Sequence, residues 1–269
     1  MKPPFDFTGK HVFVAGGTSG INLGIALAFA CSGAKLSVLS RSAVKVQAAV
    51  VKLTEAGAAN AVGYSADVRQ YDAMAQAMQA AHSANGELDV LISGAAGNFP
   101  APMAGMSANA FKSVIDIDLL GTFNVMRSAF EYLRKPGASL INISAPQSLA
   151  AMPLQGHVCA AKAGVDMITR SLAIEWGPMG IRVNSVIPGP IEGTEGLNRL
   201  APGDQAIKAV VQTVPLKRLG STADIANACL FLSSEYGNHV SGAILPVDGG
   251  WYLGGAGSAG QIIAAGLSA

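Results

Sequence analysis

Short apolar runs alternate along the chain with longer segments in which small and apolar residues recur at helical spacing. Such runs are typical of buried strands, and they occur at residues 11–15, 35–39, 61–65, 88–92, 140–143, 181–187 and 243–247. Strands that alternate with helices predict a parallel sheet covered on both faces, because right-handed crossovers place the helices there. The pattern therefore predicts an α/β fold, a single doubly wound parallel sheet of about seven strands with helices on both faces.

No break in the pattern divides the 269 residues into separate units. The chain has no long linker, block of like charges or low-complexity run, so we expect a single domain over residues 1–269. Residues 254–269 differ, because they are rich in glycine and lack a clear period. We expect a C-terminal tail there, and the sequence leaves open whether it is a flap, a subunit contact or a disordered end.

Composition excludes several classes of function. The formal net charge is +1, so neither nucleic acid nor an anionic membrane is expected as a partner. No apolar stretch reaches the ~18 residues that span a bilayer, and the histidines lack metal-ligand spacing, so no metal is expected. Cys31, Cys159 and Cys229 are far apart, which indicates buried free thiols in a reducing compartment. The N-terminus lacks a signal peptide and Leu267-Ser268-Ala269 is not a peroxisomal address, so we expect a soluble cytoplasmic protein.

A glycine-rich turn, Gly-Gly-Thr-Ser-Gly-Ile-Asn-Leu-Gly at 16–24, separates the first predicted strand from an apolar helix. Glycines at this place let the backbone approach a pyrophosphate, whose charge is met by the helix N-terminus. We therefore expect a dinucleotide to bind here, and the alternative is a plain turn. The candidate ligands in the turn are Gly16, Thr18, Ser19, Gly20 and Asn22.

The residues after the second strand indicate which dinucleotide is bound. A cofactor without a 2′-phosphate needs an acidic residue about 20 positions beyond the glycines, but the chain has Ser40, Arg41 and Ser42 there. A guanidinium flanked by hydroxyls suits a phosphate, so we expect NADP(H) rather than NAD(H). The alternative is a solvated Arg41 at the start of a helix that Ser42 caps.

A lysine near the start of a long helix marks a second candidate region. The predicted strand at 140–143 leads through a loop to a helix whose first turns carry one charge, Lys162. With the glycine-rich turn, this segment resembles the short-chain dehydrogenases/reductases, whose catalytic pattern is Tyr-x-x-x-Lys. Here Val158 takes the place of the tyrosine, Ala145 that of the catalytic serine, and Asn22 that of the family's third glycine. The usual proton donor of carbonyl reduction is therefore missing.

Other stretches resemble the peroxisomal-type 2,4-dienoyl-CoA reductases within that family. The family's usual Asn-Asn-Ala-Gly is Ser-Gly-Ala-Ala-Gly at 93–97, followed by Asn98 and Phe99. Asp118 stands where most members carry asparagine, and Pro-Gly-Pro-Ile with Gly-Thr-Glu-Gly-Leu lies within 188–197. The resemblance covers nearly the whole chain, and it implies a Rossmann-type fold and an assembly of four identical subunits.

The resemblance also implies roles for individual residues. Asn98 would donate a hydrogen bond to a thioester carbonyl, Lys162 would bind the nicotinamide ribose, and Asp118 would order a catalytic water. On the cofactor side it implies contacts from Asp67, Val68, Ala95, Pro188, Gly189 and Ile191. Ordinary alternatives stand beside these roles, with Asp67 as a helix-entry residue, Asn98 as a turn residue and Asp118 as part of a surface face.

A conjugated thioester can be reduced without the missing phenol. Hydride adds to the far end of the diene, charge develops on the thioester oxygen, and a positioned water protonates carbon. We therefore expect NADPH-dependent reduction of a 2,4-dienoyl-CoA to a 3-enoyl-CoA in fatty-acid β-oxidation, with a water that Asp118 and Lys162 order as the proton source. The expected partner is a fatty acyl-CoA thioester, although the sequence defines neither the acyl length nor the choice between CoA and acyl-carrier protein.

Two other functions remain open. A 3-oxoacyl or other carbonyl reductase would need a shifted acid, for which His157 beside Val158 is the candidate. A catalytically silent NADP-binding protein would need no acid at all. By kinship with the family, we also expect a homo-oligomer, a tetramer.

Overall fold

The computed structural model describes residues 5–259 and places one parallel sheet at their centre. Its seven strands are β1 His11–Ala15, β2 Lys35–Ser40, β3 Asn60–Ser65, β4 Val90–Ser93, β5 Ser139–Ile143, β6 Arg182–Pro188 and β7 Ile244–Val247. They lie side by side in the order β3-β2-β1-β4-β5-β6-β7. The chain thus winds outward in one direction from β1 and in the other from β4, and the carboxyl ends of these two strands meet at the switch point.

Helices cover both faces of the sheet. In the described part of the chain they are α1 Gly20–Cys31, α2 Ala43–Glu55, α3 Tyr71–Asn85, α4 Ala108–Val114, α5 Gly121–Ala129, α6 Gly156–Trp176, α7 Glu195–Leu200, α8 Asp204–Thr213 and α9 Thr222–Ser233. None of them is long and apolar enough to cross a membrane. The predicted fold class, a single doubly wound parallel sheet with helices on both faces, is confirmed.

Alternate side chains of each central strand enter two separate cores. Val12 and Val14 of β1 pack on one face with residues of α1, α2 and α9, whereas Phe13 and Ala15 pack on the other with residues of α3, α5 and α6. Because both faces are covered, the strands are continuous apolar runs in the sequence rather than alternating ones. This is why most strands begin and end within one residue of their predicted positions.

The predicted strand at 88–92 is the exception, since β4 begins only at Val90. Leu88 makes an isolated bridge with Leu133. The buried carboxylate of Asp89 accepts hydrogen bonds from the backbone N–H of His11 and from Arg134. Side-chain partners therefore replace part of the strand pairing at this end, which hydrophobicity alone does not indicate.

The first part of the predicted C-terminal tail is structured. Residues 255–259 are helical, and Ala256 and Ala259 are buried with Met152 and Trp251. Small residues give little apolar period, so this packing was not expected from the sequence. Residues 260–269 of the predicted tail lie outside the described residues.

The expectation of three buried thiols was wrong for one of them. Cys229 is buried in α9 and Cys159 is partly buried, but Cys31 is exposed at the end of α1. The reason is geometric, since Cys31 lies in the last turn of α1, on the side that the sheet does not cover. All three cysteines are free.

Candidate active site

A cavity of about 570 Å³ opens at the carboxyl ends of the central strands. Doubly wound sheets bind ligands in this crevice, where the strand order reverses. The predicted site residues in its wall are Gly20, Asn22, Arg41, Asn98, Asp118, Lys162, Pro188, Gly189 and Ile191. The other predicted residues lie outside its wall, namely Gly16, Thr18, Ser19, Asp67, Val68 and Ala95.

Lys162 lies on α6 with its side chain almost fully buried. Its Nζ donates a hydrogen bond to the carbonyl oxygen of Ile143, the last residue of β5, over 3.0 Å. The same Nζ lies 3.2 Å from Oδ2 of Asp118. The ammonium therefore joins the end of a central strand to the segment that carries Asp118.

Asp118 lies in a π-helical segment, Ile115–Leu120, between α4 and α5. A π-turn inserts extra backbone into a helix and rotates the following side chains, and such turns are frequent at functional sites. Asp116, in the same segment, pairs with Lys112 near the surface, whereas the side chain of Asp118 is 1% exposed. The two aspartates thus face different environments, and only Asp118 lines the cavity.

The two carboxylate oxygens of Asp118 have different partners. Oδ1 accepts a hydrogen bond of 2.7 Å from the backbone N–H of Gly97, which lies in the loop after β4. Oδ2 faces the ammonium of Lys162 but accepts no hydrogen bond, although it is buried. One polar atom in the cavity wall therefore keeps unused capacity to accept a proton donor.

Val158 occupies the position from which a tyrosine would reach the cavity. It is 2% exposed and belongs to an apolar cluster with Val114 and Ala161, against which Phe99 packs. Its side chain also forms part of the cavity wall. The place of the family's proton donor is thus filled by hydrocarbon.

His157 lies outside the cavity wall. Its ring is fully buried and packs on the ring of Phe99, with 4.5 Å between the ring centroids. Neither ring nitrogen has a hydrogen-bond partner, and burial lowers the pKa of His157. A histidine packed in this way is poorly placed to act as a shifted acid.

The loop that carries Asn98 is held to two neighbouring elements. Arg199 of α7 donates a hydrogen bond of 3.1 Å to the backbone carbonyl of Asn98. Gln155, just before α6, donates one of 3.2 Å to the carbonyl of Phe99. Oδ1 of Asn98 is itself buried and unpartnered, so this oxygen can still accept a hydrogen bond while the backbone is held.

Several polar residues of the cavity wall were not among the predicted site residues, and three of them have notable contacts or unpartnered atoms. Ser144 and Gln147 each carry a buried oxygen without a partner, and Arg199 holds the Asn98 loop. The sequence offers little sign of Arg199, because its spacing from Glu195 is that of an ordinary surface ion pair. Ser144 follows directly after β5, and that position at the end of a central strand is the one signal that could have identified it.

The turn after β1 is tightly packed against the residues that follow β4. Gly16 has φ +78°, and a side chain there would come within 3.0 Å of the backbone of Ala95. Ser19 precedes α1 without using its hydroxyl as a cap, and Thr18 lies in the turn between them. Arg41 reaches the cavity wall from the end of β2. These features fit a dinucleotide with its phosphates over the N-terminus of α1.

Asp67 and Val68 have other partners than a ligand. Arg69 donates hydrogen bonds to both carboxylate oxygens of Asp67 and thereby lowers the pKa of this group. Val68 is buried, and its carbonyl accepts a hydrogen bond from Asn124. These contacts leave lone pairs free on the carboxylate, and Asp67 lies three residues before Gln70, the N-cap of α3, so the predicted cofactor contact of Asp67 stays a prediction.

The chain is similar to several known proteins. A family model described as Enoyl-(Acyl carrier protein) reductase matches residues 15–252. The peroxisomal 2,4-dienoyl-CoA reductase, (3E)-enoyl-CoA-producing, of Rattus norvegicus is 44% identical over 245 residues, which cover 91% of this chain and 84% of that protein. Its counterpart in Saccharomyces cerevisiae is 40% identical over 253 residues, covering 92% and 86%. The crystal structure of a short chain dehydrogenase from Bacillus anthracis superposes with a TM-score of 0.82 at 34% identity, covering 91% of this chain and 96% of that one.

The cytoplasmic location expected from the sequence is contradicted by these relatives. Both dienoyl-CoA reductases are named peroxisomal and not cytoplasmic. The expectation was drawn from composition and from Leu267-Ser268-Ala269, which lies outside the described residues. Composition reflects solubility and does not distinguish one reducing compartment from another.

The Lys162–Asp118 pair generates a prediction about stability. Replacing Lys162 by Met leaves a buried carboxylate without its counter-charge and should lower the free energy of unfolding by about 3–5 kcal/mol. The double variant Lys162→Met/Asp118→Asn should recover most of that loss, because Asn still accepts from Gly97 and carries no charge. Urea unfolding at neutral pH measures both effects.

The exposed pair four residues apart, Lys112 and Asp116, provides the matched control. Lys112→Met should change the free energy of unfolding by less than about 1 kcal/mol, because water screens that pair. Equal losses from Lys162→Met and Lys112→Met would contradict the argument.

Proposed function

The chain belongs to the short-chain dehydrogenase/reductase family of oxidoreductases, and on this premise we propose that it reduces a 2,4-dienoyl-CoA thioester to a 3-enoyl-CoA with NADPH. Support comes first from the two relatives named for this reaction, which match 91% and 92% of the chain. The coenzyme, the proton source and the assembly are argued from residues of this chain.

One observation carries the proposal. The cavity wall holds the buried Lys162–Asp118 pair and, nearby on the same helix as Lys162, Val158 in place of a phenol. Carbonyl reduction needs an acid for the developing alkoxide, and Val158 has no proton to give. Reduction of a conjugated thioester needs an acid only at carbon, which a bound water can serve. The arrangement therefore favours conjugate reduction over carbonyl reduction.

The thioester oxygen requires a hydrogen-bond donor when charge develops on it. When bound, a nicotinamide cofactor supplies the hydride that adds to the far end of the diene. Asn98 lies in the cavity wall with its backbone held by Arg199, and its Nδ2 is the donor assigned to the thioester oxygen. A preorganised donor of this kind contributes about 3–4 kcal/mol to transition-state stabilisation.

Lys162 and Asp118 would hold the water that protonates the α carbon. Nζ of Lys162 donates one of its three N–H groups to the carbonyl of Ile143, and Oδ2 of Asp118 accepts no hydrogen bond. A water beside this pair, on its cavity side, could donate to Oδ2 while accepting from Nζ, which orients its second proton toward the cavity. That proton passes to the α carbon, a new C–H bond forms there, and solvent replaces the proton lost. The remaining double bond lies between carbons 3 and 4, so the product is a 3-enoyl thioester.

The competing carbonyl reductase depends on His157 as the acid. Its ring is buried against Phe99, outside the cavity wall, and burial lowers its pKa. A catalytically silent protein would have no need of a buried ion pair in the cavity wall. Removing both charges from water costs about as much free energy as their attraction returns, so such a pair contributes little to stability. Both alternatives are outcomes of the assay described below.

Arg41 supports NADPH as the coenzyme. Its side chain is exposed, lines the cavity and makes no ion pair with any residue between 5 and 259. Oγ of the preceding Ser40 is buried without a partner, and Ser42 caps α2. The cap interpretation thus accounts for Ser42 and leaves the guanidinium and the Ser40 hydroxyl for a 2′-phosphate.

The proposed reaction predicts a clear substrate preference. The protein should oxidise NADPH with a 2,4-dienoyl-CoA at least about 100-fold faster than with a 3-oxoacyl-CoA of equal chain length, because the latter lacks its general acid. Nicotinamide absorbance measures both rates, and acyl-carrier-protein thioesters run in parallel identify the carrier. In D₂O, the product should carry deuterium at the α carbon by NMR. Faster oxidation with the 3-oxoacyl-CoA would favour the carbonyl reductase, and no oxidation despite NADPH binding would favour the silent protein.

Variants of the buried pair provide the control for the proton source. Asp118→Asn should lower kcat by about 10²–10⁴-fold while leaving NADPH affinity nearly unchanged, because it removes the oriented water and keeps the bond to Gly97. Lys162→Ala should also abolish most turnover. Asp116→Asn, two residues from Asp118, should keep the full rate. Full activity of Asp118→Asn would rule out the ordered water.

The coenzyme assignment is tested at Arg41. Arg41→Ala should raise the Kd for NADPH by about 10–100-fold, because a charge-assisted bond to the 2′-phosphate is worth about 1.5–3 kcal/mol. The Kd for NADH should change little, since NADH has no 2′-phosphate. Quenching or transfer fluorescence of the bound nicotinamide measures both constants. Equal weakening of the two coenzymes would contradict a phosphate contact.

We also propose that the chain forms a homo-oligomer, as expected from the family. Apolar side chains are exposed on two elements that pack together, α6 and the π segment with its continuation in α5. They are Leu120, Phe123, Met167 and Ile174. A second copy of the chain would bury this apolar face.

An aspartate in this face should break the assembly. Ile174→Asp, at a side chain 81% exposed, should shift the protein toward monomers in light scattering, because the interface cannot bury an unpaired charge. Val44→Asp is the matched control, since Val44 of α2 is also 81% exposed and lies on the opposite side of the sheet. An unchanged mass for Ile174→Asp would place any interface elsewhere.

A further inference from the structure

Asn22 reaches from the first turn of α1 to the end of β4. Its Nδ2 donates a hydrogen bond of 2.7 Å to the carbonyl oxygen of Gly94. Because a carbonyl oxygen can only accept, this bond fixes which way the amide is turned. Oδ1 must therefore be the free end of the carboxamide.

Oδ1 of Asn22 is buried and has no hydrogen-bond partner among the described residues. Asn22 and Gly94 both form part of the cavity wall. An ionised pyrophosphate carries no proton donor, so it cannot satisfy this oxygen. A ribose hydroxyl or a carboxamide N–H can.

The same carboxamide explains why residue 94 is a glycine. A Cβ at Gly94 would lie 2.2 Å from Oδ1 of Asn22 and 2.5 Å from its Cγ and Nδ2. The φ of Gly94 is not in the left-handed region, so space rather than backbone conformation requires the glycine. Any side chain at 94 and the carboxamide of Asn22 exclude each other.

The two departures from the family pattern therefore occur at one point in space. Asn22 stands where the pattern has glycine, and Gly94 stands where it has asparagine. In this chain the carboxamide in the gap between α1 and β4 comes from the helix side. Because asparagine is gained at position 22 and lost at position 94, the gap still holds one carboxamide, and two would collide there.

We propose that Asn22 and Gly94 form one reciprocal unit that positions the nicotinamide half of the bound dinucleotide. Nδ2 ties the cofactor turn to β4, and Oδ1 accepts a hydrogen bond from the ribose hydroxyl or the carboxamide of that half. The nicotinamide half is assigned because Gly94 leads directly into the loop that carries Asn98. This inference rests on the proposed dinucleotide-binding function.

A double-variant cycle tests the reciprocity. Asn22→Ala and Gly94→Ala should each raise the Kd for NADPH, measured without acyl substrate, by about tenfold, the range of one buried hydrogen bond. Gly94→Ala added to Asn22→Ala should cost no more than about a further twofold, because the collision is then absent. Gly177→Ala is the control, since a Cβ there meets no atom within 4 Å, and it should leave the Kd unchanged.

Two fragments of the coenzyme separate a ligand contact from a general disturbance of the turn. Asn22→Ala should leave the affinity for 2′,5′-ADP, which lacks the nicotinamide half, within about twofold of the unaltered protein. Weaker binding of 2′-phospho-ADP-ribose as well as NADPH would assign the donor to the ribose. Weaker binding of NADPH alone would assign it to the nicotinamide carboxamide.

Three results would overturn the unit: additive effects of the two substitutions, an unchanged Kd for Asn22→Ala, or equal weakening of all three ligands. These outcomes are distinct from failure of the proposed reaction, since no acyl thioester is present. If the protein binds NADH in place of NADPH, the same cycle applies with NADH, because the nicotinamide half is common to both. A protein that binds neither coenzyme would overturn this inference and the proposed function together.

Discussion

The rest of the site depends on the buried ion pair of Lys162 and Asp118. Two charges removed from water are tolerated only when they face each other and have further hydrogen bonds. Lys162 obtains its bond from the carbonyl of Ile143, and Asp118 obtains its bond from the N–H of Gly97. The requirement to satisfy two buried charges thus fixes the relative positions of β5, α6, the π segment and the loop after β4. These are the elements that line the cavity where the reaction is proposed.

The fold could be predicted from the sequence because its main signal is local. Strands covered on both faces are continuous apolar runs, and glycine between the first strand and first helix marks the switch point. The π segment could not be predicted, because a single wide turn leaves no repeat in the sequence. The contact of Arg199 with the carbonyl of Asn98 joins residues 101 apart along the chain. Because the acceptor is a backbone atom, which every residue has, the type of residue at 98 does not indicate this contact. The bonds from Arg69 to both carboxylate oxygens of Asp67 could not be predicted either, because the family resemblance implied only a cofactor contact for this residue.

The missing phenol is replaced by packing and not by another acid. Val158 joins Val114 and Ala161 in a small apolar cluster, and Phe99 packs between this cluster and the ring of His157. A proton donor at this place would lie beside hydrocarbon, where its charged form is disfavoured. The cluster thereby keeps the cavity apolar on one side of the ion pair. The pair is left as the polar group against which a water can be oriented.

The loop after β4 connects the cofactor turn to the proton site. At its start, the carbonyl of Gly94 accepts from Asn22 of α1, and three residues later the N–H of Gly97 donates to Asp118. Asn98 follows immediately, so its backbone is held by the bond to Gly97 on one side and by Arg199 on the other. A movement of α1 or of the π segment would therefore displace the group proposed to bind the thioester oxygen. Because one short loop carries both connections, the cofactor turn, the Asn98 loop and the segment that carries Asp118 are joined by two hydrogen bonds to backbone atoms, each 2.7 Å long.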